Sequence, residues 1–418
     1  MTETTVTIVG GGVHGVHLAV CLLESDLVER EELCLIEPAG LLARFRRQCR
    51  QCGMVELRSP YVHHVGYDPF SLRDFARSNG RMDELRPSDF GADRPTVSLF
   101  FDHAEWVCDR YDLESLVCET RATDIVDEGD RVHIETTAGP VSSRWCVLAV
   151  GHGGSYTVPE WAEELPADTP VNHVWDGFDP ETVGERDAVG IVGGGITAGQ
   201  LATRLAQPGR DVTMFVRSPF RVETLEASTD WMHFSSVVEE LHDLPPASRK
   251  RERLVTNARY DGTMPPYVFR RLRQAIEDGQ VTLEETEITV ATEAGGTVVV
   301  TCENDTACCL DQLVLATGFG SPYDCQLFER LRERAPLQTG YRGAPALDDE
   351  TLRWLRTDGT RSRVVVSGVG AQQVLGPFAR NVIGARRAGR LLLEALEADD
   401  FESQLSTPTS SPRAQSVD

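Results

Sequence analysis

Two short glycine-rich stretches have the residue types and spacing that bind the pyrophosphate of a dinucleotide. They place small residues at Gly10, Gly12 and Gly15 and again at Gly193, Gly195 and Ala198. The first residue of each set permits a tight turn, the second lets the backbone approach the phosphates, and the third lets a helix pack closely on its strand. The phosphates then lie at the helix N-terminus, where free N–H groups and the helix dipole favour negative charge.

The residue that ends the strand after each loop indicates which dinucleotide is bound. Glu37 ends an apolar run and stands 22 residues after Gly15, where a carboxylate would bind the ribose hydroxyls of FAD. Arg217 ends the corresponding second run, and its guanidinium suits the 2′-phosphate of NADPH, which an acid would repel. Arg221 could assist one turn further on. The alternatives are a solvated strand-end glutamate and an ordinary surface arginine.

Both loops stand between a β-branched run and an apolar helical pattern, which predicts strand, turn and helix twice. The expected fold class is α/β, with two Rossmann-like dinucleotide-binding domains and the NADPH domain inserted in the FAD domain. An apolar run that ends at Gly151 predicts that the chain leaves the first sheet there. A similar apolar run that begins near Leu313 predicts that the chain re-enters the same sheet. The expected borders are 1–170 and 312–398 for the FAD domain, 185–311 for the NAD(P)H domain and 399–418 for a disordered tail.

A long irregular segment, residues 38–95, follows the second predicted strand. An insertion of this length in a nucleotide-binding fold commonly builds a binding site. Three of its residues are catalytic candidates, because they supply hydrogen-bond donors for a flavin or substrate face: Ser59, His63 and His64. The alternative for the histidine pair is hydrogen bonding to the backbone of its own loop.

Cys49 and Cys52 form a C-x-x-C pair in the same segment. If this pair is redox active, the flanking residues Arg46, Arg47 and Arg50 would lower the pKa of a thiol. Ordinary thiols and a metal site are the other two interpretations. No second cysteine pair with ligand spacing follows, so no metal site is predicted.

The composition excludes several classes of partner. The chain carries 65 acidic against 41 basic residues, a net charge of −24, which argues against nucleic acid and anionic membranes. The N-terminus lacks the basic residues of a signal peptide, and no stretch of about 18 apolar residues exists. With eleven scattered cysteines, we expect a cytoplasmic protein with mostly reduced thiols. Because Lys250 is the only lysine, the acidic composition indicates either salt adaptation or codon bias.

Two independent glycine fingerprints in one chain resemble the two-dinucleotide-binding flavoprotein superfamily. Within it, Leu315–Phe319 (Leu-Ala-Thr-Gly-Phe) resembles a motif of the flavin-containing and N-hydroxylating monooxygenases, of the lysine and ornithine N-monooxygenase type. His173 resembles the linker histidine of the family. Turns of small residues after two later strands add Gly318 and Gly368 to the candidate cofactor-binding residues. The resemblance covers most of residues 5–395.

The resemblance implies an FAD-dependent, NADPH-using monooxygenase. NADPH would reduce FAD, and the reduced flavin would form a C4a-peroxide with O2 that oxygenates a small amine, sulfide or ketone. Two alternatives remain open from the residues. One is an NAD(P)H-dependent disulfide or quinone-type reductase, with or without Cys49 and Cys52. The other is a non-catalytic flavin and NADPH sensor or electron-transfer partner, since hydride transfer to a flavin needs no identifiable catalytic side chain.

Overall fold

The chain folds into alternating strands and helices, and the computed structural model describes residues 2–88 and 91–406. Its strands are β1 (Thr2–Val9), β2 (Leu33–Ile36), β3 (Leu85–Arg86), β4 (Arg94–Pro95), β5 (Val117–Cys118), β6 (Ala122–Asp127), β7 (Val132–Thr136), β8 (Val141–Leu148), β9 (Val171–His173), β10 (Ala188–Val192), β11 (Asp211–Phe215), β12 (Arg221–Val222), β13 (Thr263–Met264), β14 (Thr282–Glu284), β15 (Ile288–Ala294), β16 (Thr297–Cys302), β17 (Ala307–Leu310), β18 (Gln312–Leu315), β19 (Arg353–Leu355) and β20 (Arg361–Val366). Its α-helices are α1 (Val13–Glu24), α2 (Ala43–Cys52), α3 (Ser71–Ser78), α4 (Val97–Arg110), α5 (Glu160–Glu163), α6 (Ile196–Leu205), α7 (Phe234–Val237), α8 (Arg249–Ala258), α9 (Pro266–Glu277), α10 (Gln326–Arg334), α11 (Gln372–Leu375) and α12 (Val382–Ser406).

The first sheet has the order β19-β20-β8-β1-β2-β5, and β7 and β6 extend it in antiparallel fashion from β8. Strand β1 runs parallel to both of its neighbours, β2 and β8. All four residues of β2 are buried, as expected for a parallel strand that is covered on both faces. Helices α1 and α12 pack against each other over this sheet. We refer to this unit as the first domain.

The second sheet is parallel throughout and has the order β14-β11-β10-β18-β9. Apolar residues of β10, β11, α6 and α9 form one core beside it. A separate antiparallel sheet, β15-β16-β17, precedes β18. Within the described part of the chain, no helix has the length and apolar character needed to cross a bilayer.

The predicted α/β class with two dinucleotide-binding units is confirmed, but the predicted border between the units is wrong in one place. The sequence predicts that the chain re-enters the first sheet near Leu313. Instead, β18 lies parallel to β10 in the second sheet, and β9, which falls between the predicted borders, pairs with β18. The chain returns to the first domain after Gly320. Phe328 of α10 is buried there, in the same hydrophobic core as β1, β2 and β8.

The reason for this error is that each glycine loop packs against a small-residue turn of its own sheet. A Cβ added at Gly10 would lie 2.5 Å from the carbonyl oxygen of Ala149, and one added at Gly193 would lie 2.5 Å from that of Ala316. The two strand-and-turn segments resemble each other because both meet the same steric requirement. Such a local requirement does not reveal which of two sheets a strand joins.

Helix α12 extends further than the sequence predicts. It runs to Ser406, so residues 399–406 of the predicted disordered tail are helical. Asp399 pairs with Arg144 of β8 at 2.5 Å and with Arg363 of β20 at 2.6 Å. These ion pairs attach the end of the helix to the first sheet. The remainder of the predicted tail, 407–418, lies outside the described residues.

The segment 38–95 is less irregular than predicted, because α2 occupies ten of its residues. The buried side chains of α2 are Cys49 and Cys52, which stand among arginines and glutamines. Two cysteines in place of larger apolar residues make a weak helical pattern, and this explains why the helix escapes sequence analysis.

Candidate cofactor and active site

The first glycine loop has the three steric properties that its spacing predicts. Gly10 has a φ of +109°, and a Cβ there would collide with Ala149, so only glycine fits the turn. A Cβ at Gly15 would lie 1.8 Å from the carbonyl oxygen of Gly10, which shows how closely α1 approaches the strand. At Gly12, by contrast, a Cβ would meet no protein atom within 4 Å. The open space at Gly12 fits a pyrophosphate at the N-terminus of α1.

Glu37 follows the last residue of β2 and lies against the same loop. One oxygen of its carboxylate accepts a hydrogen bond from the backbone N–H of Gly11 at 2.8 Å, and the other accepts one from Ala39 at 3.1 Å. A carboxylate has about four acceptor positions, so two remain available for ribose hydroxyls. The position of Glu37 therefore fits the predicted contact with the adenosine ribose of FAD.

The second glycine loop repeats the arrangement. Gly193 has a φ of +136° and packs on the turn after β18, and the nearest atom to a Cβ at Gly195 is 3.7 Å away. Ala198 is fully buried in the first turns of α6. This loop leaves space at its second glycine for another pyrophosphate.

Arg217 is not the structural counterpart of Glu37. A Cβ at Gly11 would touch Glu37, whereas one at Gly194 would face Val216, so the apolar Val216 occupies the equivalent place. Arg217 comes one residue later, is exposed, and forms no hydrogen bond or ion pair with another described residue. The guanidinium is therefore free to bind a phosphate, and the place equivalent to that of Glu37 holds the apolar Val216 instead of a carboxylate.

Arg221 is already engaged by protein groups. Its guanidinium lies 3.9 Å from the ring centroid of Tyr260 and 3.7 Å from the carboxylate of Glu223. These contacts satisfy the side chain without a ligand, and so they favour Arg217 over Arg221 as the phosphate ligand.

We expect the Arg217→Asp variant to lose its preference for NADPH. The aspartate removes a charge-assisted hydrogen bond and repels the 2′-phosphate, so the ratio of kcat/KM for NADPH over NADH should fall about 100-fold. Steady-state kinetics with both nicotinamides measure this ratio. Arg186→Asp is the matched control, because Arg186 is an exposed arginine just before β10, at the opposite end of the same sheet. An equal loss in both variants would show a general charge effect and would remove Arg217 from the site.

A cavity lies between the two domains, where three separate parts of the chain meet. It is lined by residues of the 38–95 segment, of the stretch after β11, and of the turn before α12, including Arg58, Ser59, His63, Glu226, Met232 and Asn381. Two of the three catalytic candidates, Ser59 and His63, thus share this cavity. Its position between the two dinucleotide-binding domains makes it the candidate site for the substrate.

His64 does not reach the cavity. Its side chain is fully buried, its Nδ1 accepts a hydrogen bond from the N–H of Gly66 at 3.0 Å, and its Nε2 lies 3.2 Å from the carbonyl oxygen of Pro69. Its ring also packs edge-on against His103, with 4.7 Å between centroids. For this residue the alternative interpretation, a histidine bonded to its own loop, agrees with the structure.

His14 connects the first glycine loop to the cavity, and the sequence analysis did not single it out. Its Nδ1 lies 2.9 Å from the Ser367 hydroxyl and its Nε2 lies 3.2 Å from the carbonyl oxygen of Asn381. Gly368 packs beside the His14 ring, which places this predicted residue at the first loop. Gly318 lies in the turn after β18 of the second sheet. Its carbonyl oxygen is 3.1 Å from Nε2 of the linker residue His173.

Three arginines surround Glu226, which lies in the wall of the cavity. Glu226 lies 3.7 Å from Arg58 and 3.6 Å from Arg259. Burial opposes ionisation of Glu226, but Arg259, Arg380 and Arg58 outweigh it and hold the pKa of this carboxyl below its ordinary value. Burial and the neighbouring Arg259 lower the pKa of Arg380 to about 10, so Arg380 remains charged. These residues are distant in sequence, and no local pattern could have grouped them.

His63 is a neutral imidazole over the physiological range. Burial, followed by the charges of Arg386 and Arg387, lowers its pKa to about 4. A neutral imidazole carries one N–H donor and one acceptor nitrogen. His63 can therefore orient a polar group in the cavity without adding charge.

Cys49 and Cys52 have the properties of ordinary buried thiols. The Cys52 Sγ lies 3.5 Å from Oε1 of Gln200, and the Cys49 Sγ lies 3.7 Å from Sδ of Met54. The expectation of a lowered thiol pKa is wrong, since burial raises the pKa of Cys52 to about 12 and raises that of Cys49 as well. Among the described residues, no cysteine lines the cavity, and no three potential metal ligands gather in one place.

Comparison with known proteins assigns the fold. Residues 7–153 match the FAD-NAD(P)-binding family, and no curated protein has a significantly similar sequence. The structure is similar to that of an ornithine N-hydroxylase from Kutzneria sp. 744 with reduced FAD, NADP+ and L-ornithine, at a TM-score of 0.75 and 19% identity over 95% of this chain and 100% of that one. It is also similar to an L-lysine 6-monooxygenase from Pseudomonas syringae, at a TM-score of 0.70 and 19% identity over 94% of this chain and 99% of that one. The similarity to a bacillithiol disulfide reductase from Staphylococcus aureus is lower, with a TM-score of 0.60 and 14% identity over 96% of this chain and 99% of that one. The chain therefore has the fold of the two-dinucleotide-binding flavoproteins, in the arrangement found in N-hydroxylating flavin monooxygenases.

Proposed function

We propose that the protein is an FAD-dependent, NADPH-using monooxygenase that oxygenates a small substrate, with an amine as the favoured class over a sulfide or a ketone. The observation that carries this proposal is the cavity between the two domains, which is lined by Ser59 and His63 and, within the described residues, by no cysteine. The higher structural similarity to an amine hydroxylase than to a disulfide reductase supports the choice of chemistry.

The residues present fit both cofactors. The loop from Gly10 to Gly15, with Glu37 and Gly368, would hold FAD, and the loop from Gly193 to Ala198, with Arg217, would hold NADPH. When bound, FAD would accept a hydride from NADPH and would activate O2. The protein must bind, orient and shield the reactants.

Arg58 closes the cavity between the domains. Its guanidinium donates hydrogen bonds to the carbonyl oxygens of Thr224 at 2.7 Å and Glu223 at 2.8 Å, and to the hydroxyl of Thr263 at 3.0 Å. All three partners belong to the second domain, whereas Arg58 belongs to the first. This link joins the walls of the cavity and limits the access of water, which would otherwise compete with the substrate.

The positive charge around Glu226 suits an amine that must react through its lone pair. Nearby guanidinium groups disfavour a second cation, so they lower the pKa of a bound amine and favour its neutral, nucleophilic form. The imidazole of His63 can accept a hydrogen bond from the amine N–H without taking its proton, because its own pKa is about 4. Ser59 supplies a hydroxyl donor or acceptor at the same wall.

A product assay tests the proposal. The FAD-loaded protein is given NADPH, O2 and a panel containing L-ornithine, L-lysine, cadaverine, a thioether and a ketone, and the oxygenated product, NADPH consumption and released H2O2 are measured. We expect one amine to give a product that gains one oxygen atom in proportion to NADPH. The Cys49→Ser, Cys52→Ser double variant should turn over at the wild-type rate. Failure to bind FAD, or activity only on disulfides that is lost in the double variant, would refute the monooxygenase.

A further inference from the structure

A second cavity, of about 510 Å3, also lies between the two domains. From the first domain it is lined by Glu56, Arg86 and Arg94, and from α9 of the second domain by Tyr267, Arg270 and Arg271. It shares no lining residue with the cavity at Ser59 and includes neither glycine loop nor Arg217. Its volume falls within the range of small-molecule sites, about 300 to 1,000 Å3.

Four guanidinium groups surround a single carboxylate in this cavity. Glu56 is shared by Arg94 at 3.0 Å and by Arg271 at 2.8 Å. Among the described residues, the side chains of Arg86 and Arg270 form neither a hydrogen bond nor an ion pair, and both are exposed. The chain as a whole has a net charge of −24, so this cluster departs from the rest of the surface. Among the described residues that line the cavity, four guanidinium groups therefore face one carboxylate, and Glu84 nearby acts electrostatically on Arg86 alone of the four.

The Arg94 side chain supplies an independent indication of a ligand. It is 9% exposed, lies 4.1 Å from the ring centroid of Tyr267, and donates one hydrogen bond to the carbonyl oxygen of Pro87 at 3.2 Å. Its Nη1 is buried 3.0 Å from Oε2 of Glu56, in an ion pair that lacks the geometry of a hydrogen bond. Buried donors are normally satisfied, so an acceptor from outside the chain would complete this group.

We propose that this cavity binds a small polyvalent oxyanion of the phosphate class. Guanidinium groups form paired, charge-assisted hydrogen bonds with the oxygens of phosphate, and two or more of them can share one such anion. The anion would bridge Arg86 and Arg94 of the first domain to Arg270 and Arg271 of the second. The Tyr267 hydroxyl already donates to the carbonyl oxygen of Glu56 at 3.2 Å, so the ligand would reinforce an existing contact between the domains.

Isothermal titration with inorganic pyrophosphate tests this site. The full-length protein is saturated with FAD and NADP+, which occupies the two glycine loops, and the ionic strength is held constant. We expect one pyrophosphate per chain, and about tenfold weaker binding for each of Arg270→Gln and Arg271→Gln. Arg273→Gln is the matched control, since Arg273 lies on the same helix, is 60% exposed and pairs with Glu277 outside the cavity. The control should bind as tightly as the wild type.

Four results would overturn the proposal. The first is no binding of pyrophosphate. The second is an equal loss in the Arg273→Gln control, which would indicate attraction by overall charge. The third is displacement of pyrophosphate by excess NADP+, which would assign the arginines to the cofactor. The fourth is a dimer that pyrophosphate dissociates in sedimentation, which would make the acidic surface of a second copy the occupant.

Discussion

Replacing Gly12 by alanine is expected to abolish stable FAD binding while leaving the free energy of unfolding of the apoprotein nearly unchanged. Gly12 has a φ of −74° and a ψ of −169°, which any residue adopts, and a Cβ there would meet no protein atom within 4 Å. The new methyl group would instead occupy the space of the pyrophosphate. We expect the Kd for FAD to rise at least about 100-fold, as measured by flavin retention and titration of the apoprotein.

Gly15→Ala is the matched comparison, because it places the same methyl group three residues away. There the Cβ would lie 1.8 Å from the carbonyl oxygen of Gly10, so the variant should lose about 3 kcal/mol of folding stability. Gly195→Ala should keep FAD and weaken only NADPH. Denaturant unfolding separates the two first-loop variants. Wild-type FAD affinity in Gly12→Ala would show that the flavin pyrophosphate does not bind at the first loop.

Acidification from about pH 6.5 to pH 4 is expected to destabilise the protein steeply. Burial is the main reason that six histidines have a pKa of about 4 or lower. The values are about 4 for His14, His63 and His103, and about 3 for His17, His64 and His152. In the unfolded chain the same groups bind protons near pH 6.5.

The sign follows from the number of bound protons. Between pH 6.5 and 4 the unfolded chain binds more protons than the folded one, so the free energy of unfolding falls as the pH falls. A shift of two to three pKa units is worth about 3 to 4 kcal/mol per histidine, which makes this a large effect. Denaturant midpoints measured between pH 7.5 and 4.5 give the slope.

A single substitution tests the origin of this slope. His64→Gln removes one of the six buried groups and should reduce the slope by about one proton, or about 1.4 kcal/mol per pH unit. His233→Gln is the control, because His233 is exposed, and its slope should match the wild type. Stability that stays constant from pH 6.5 to 4.5 would contradict the assignment of buried, neutral histidines.

Only part of the candidate site follows from local sequence. Ser59 and His63 stand in a segment whose length and composition indicate a binding site, and the structure brings both to one cavity. The other groups of that cavity, such as Glu226 and Asn381, come from distant segments without a recognisable pattern. The neighbouring histidines 63 and 64 have different environments, and nothing in their order along the chain predicts which of them faces the cavity.

The sequence by itself determined the two glycine loops and the charges that follow their strands. These features are local, since a tight turn, a close helix and a bound phosphate each restrict the residue types within a few positions. Tertiary structure alone decided that β18 joins the second sheet, that Cys49 and Cys52 are buried away from the cavity, and that Arg94 and Arg270 line one cavity between the domains. The physical reason is that packing between distant segments depends on which surfaces cover one another. Several arrangements of the same strands and helices satisfy the local patterns equally well.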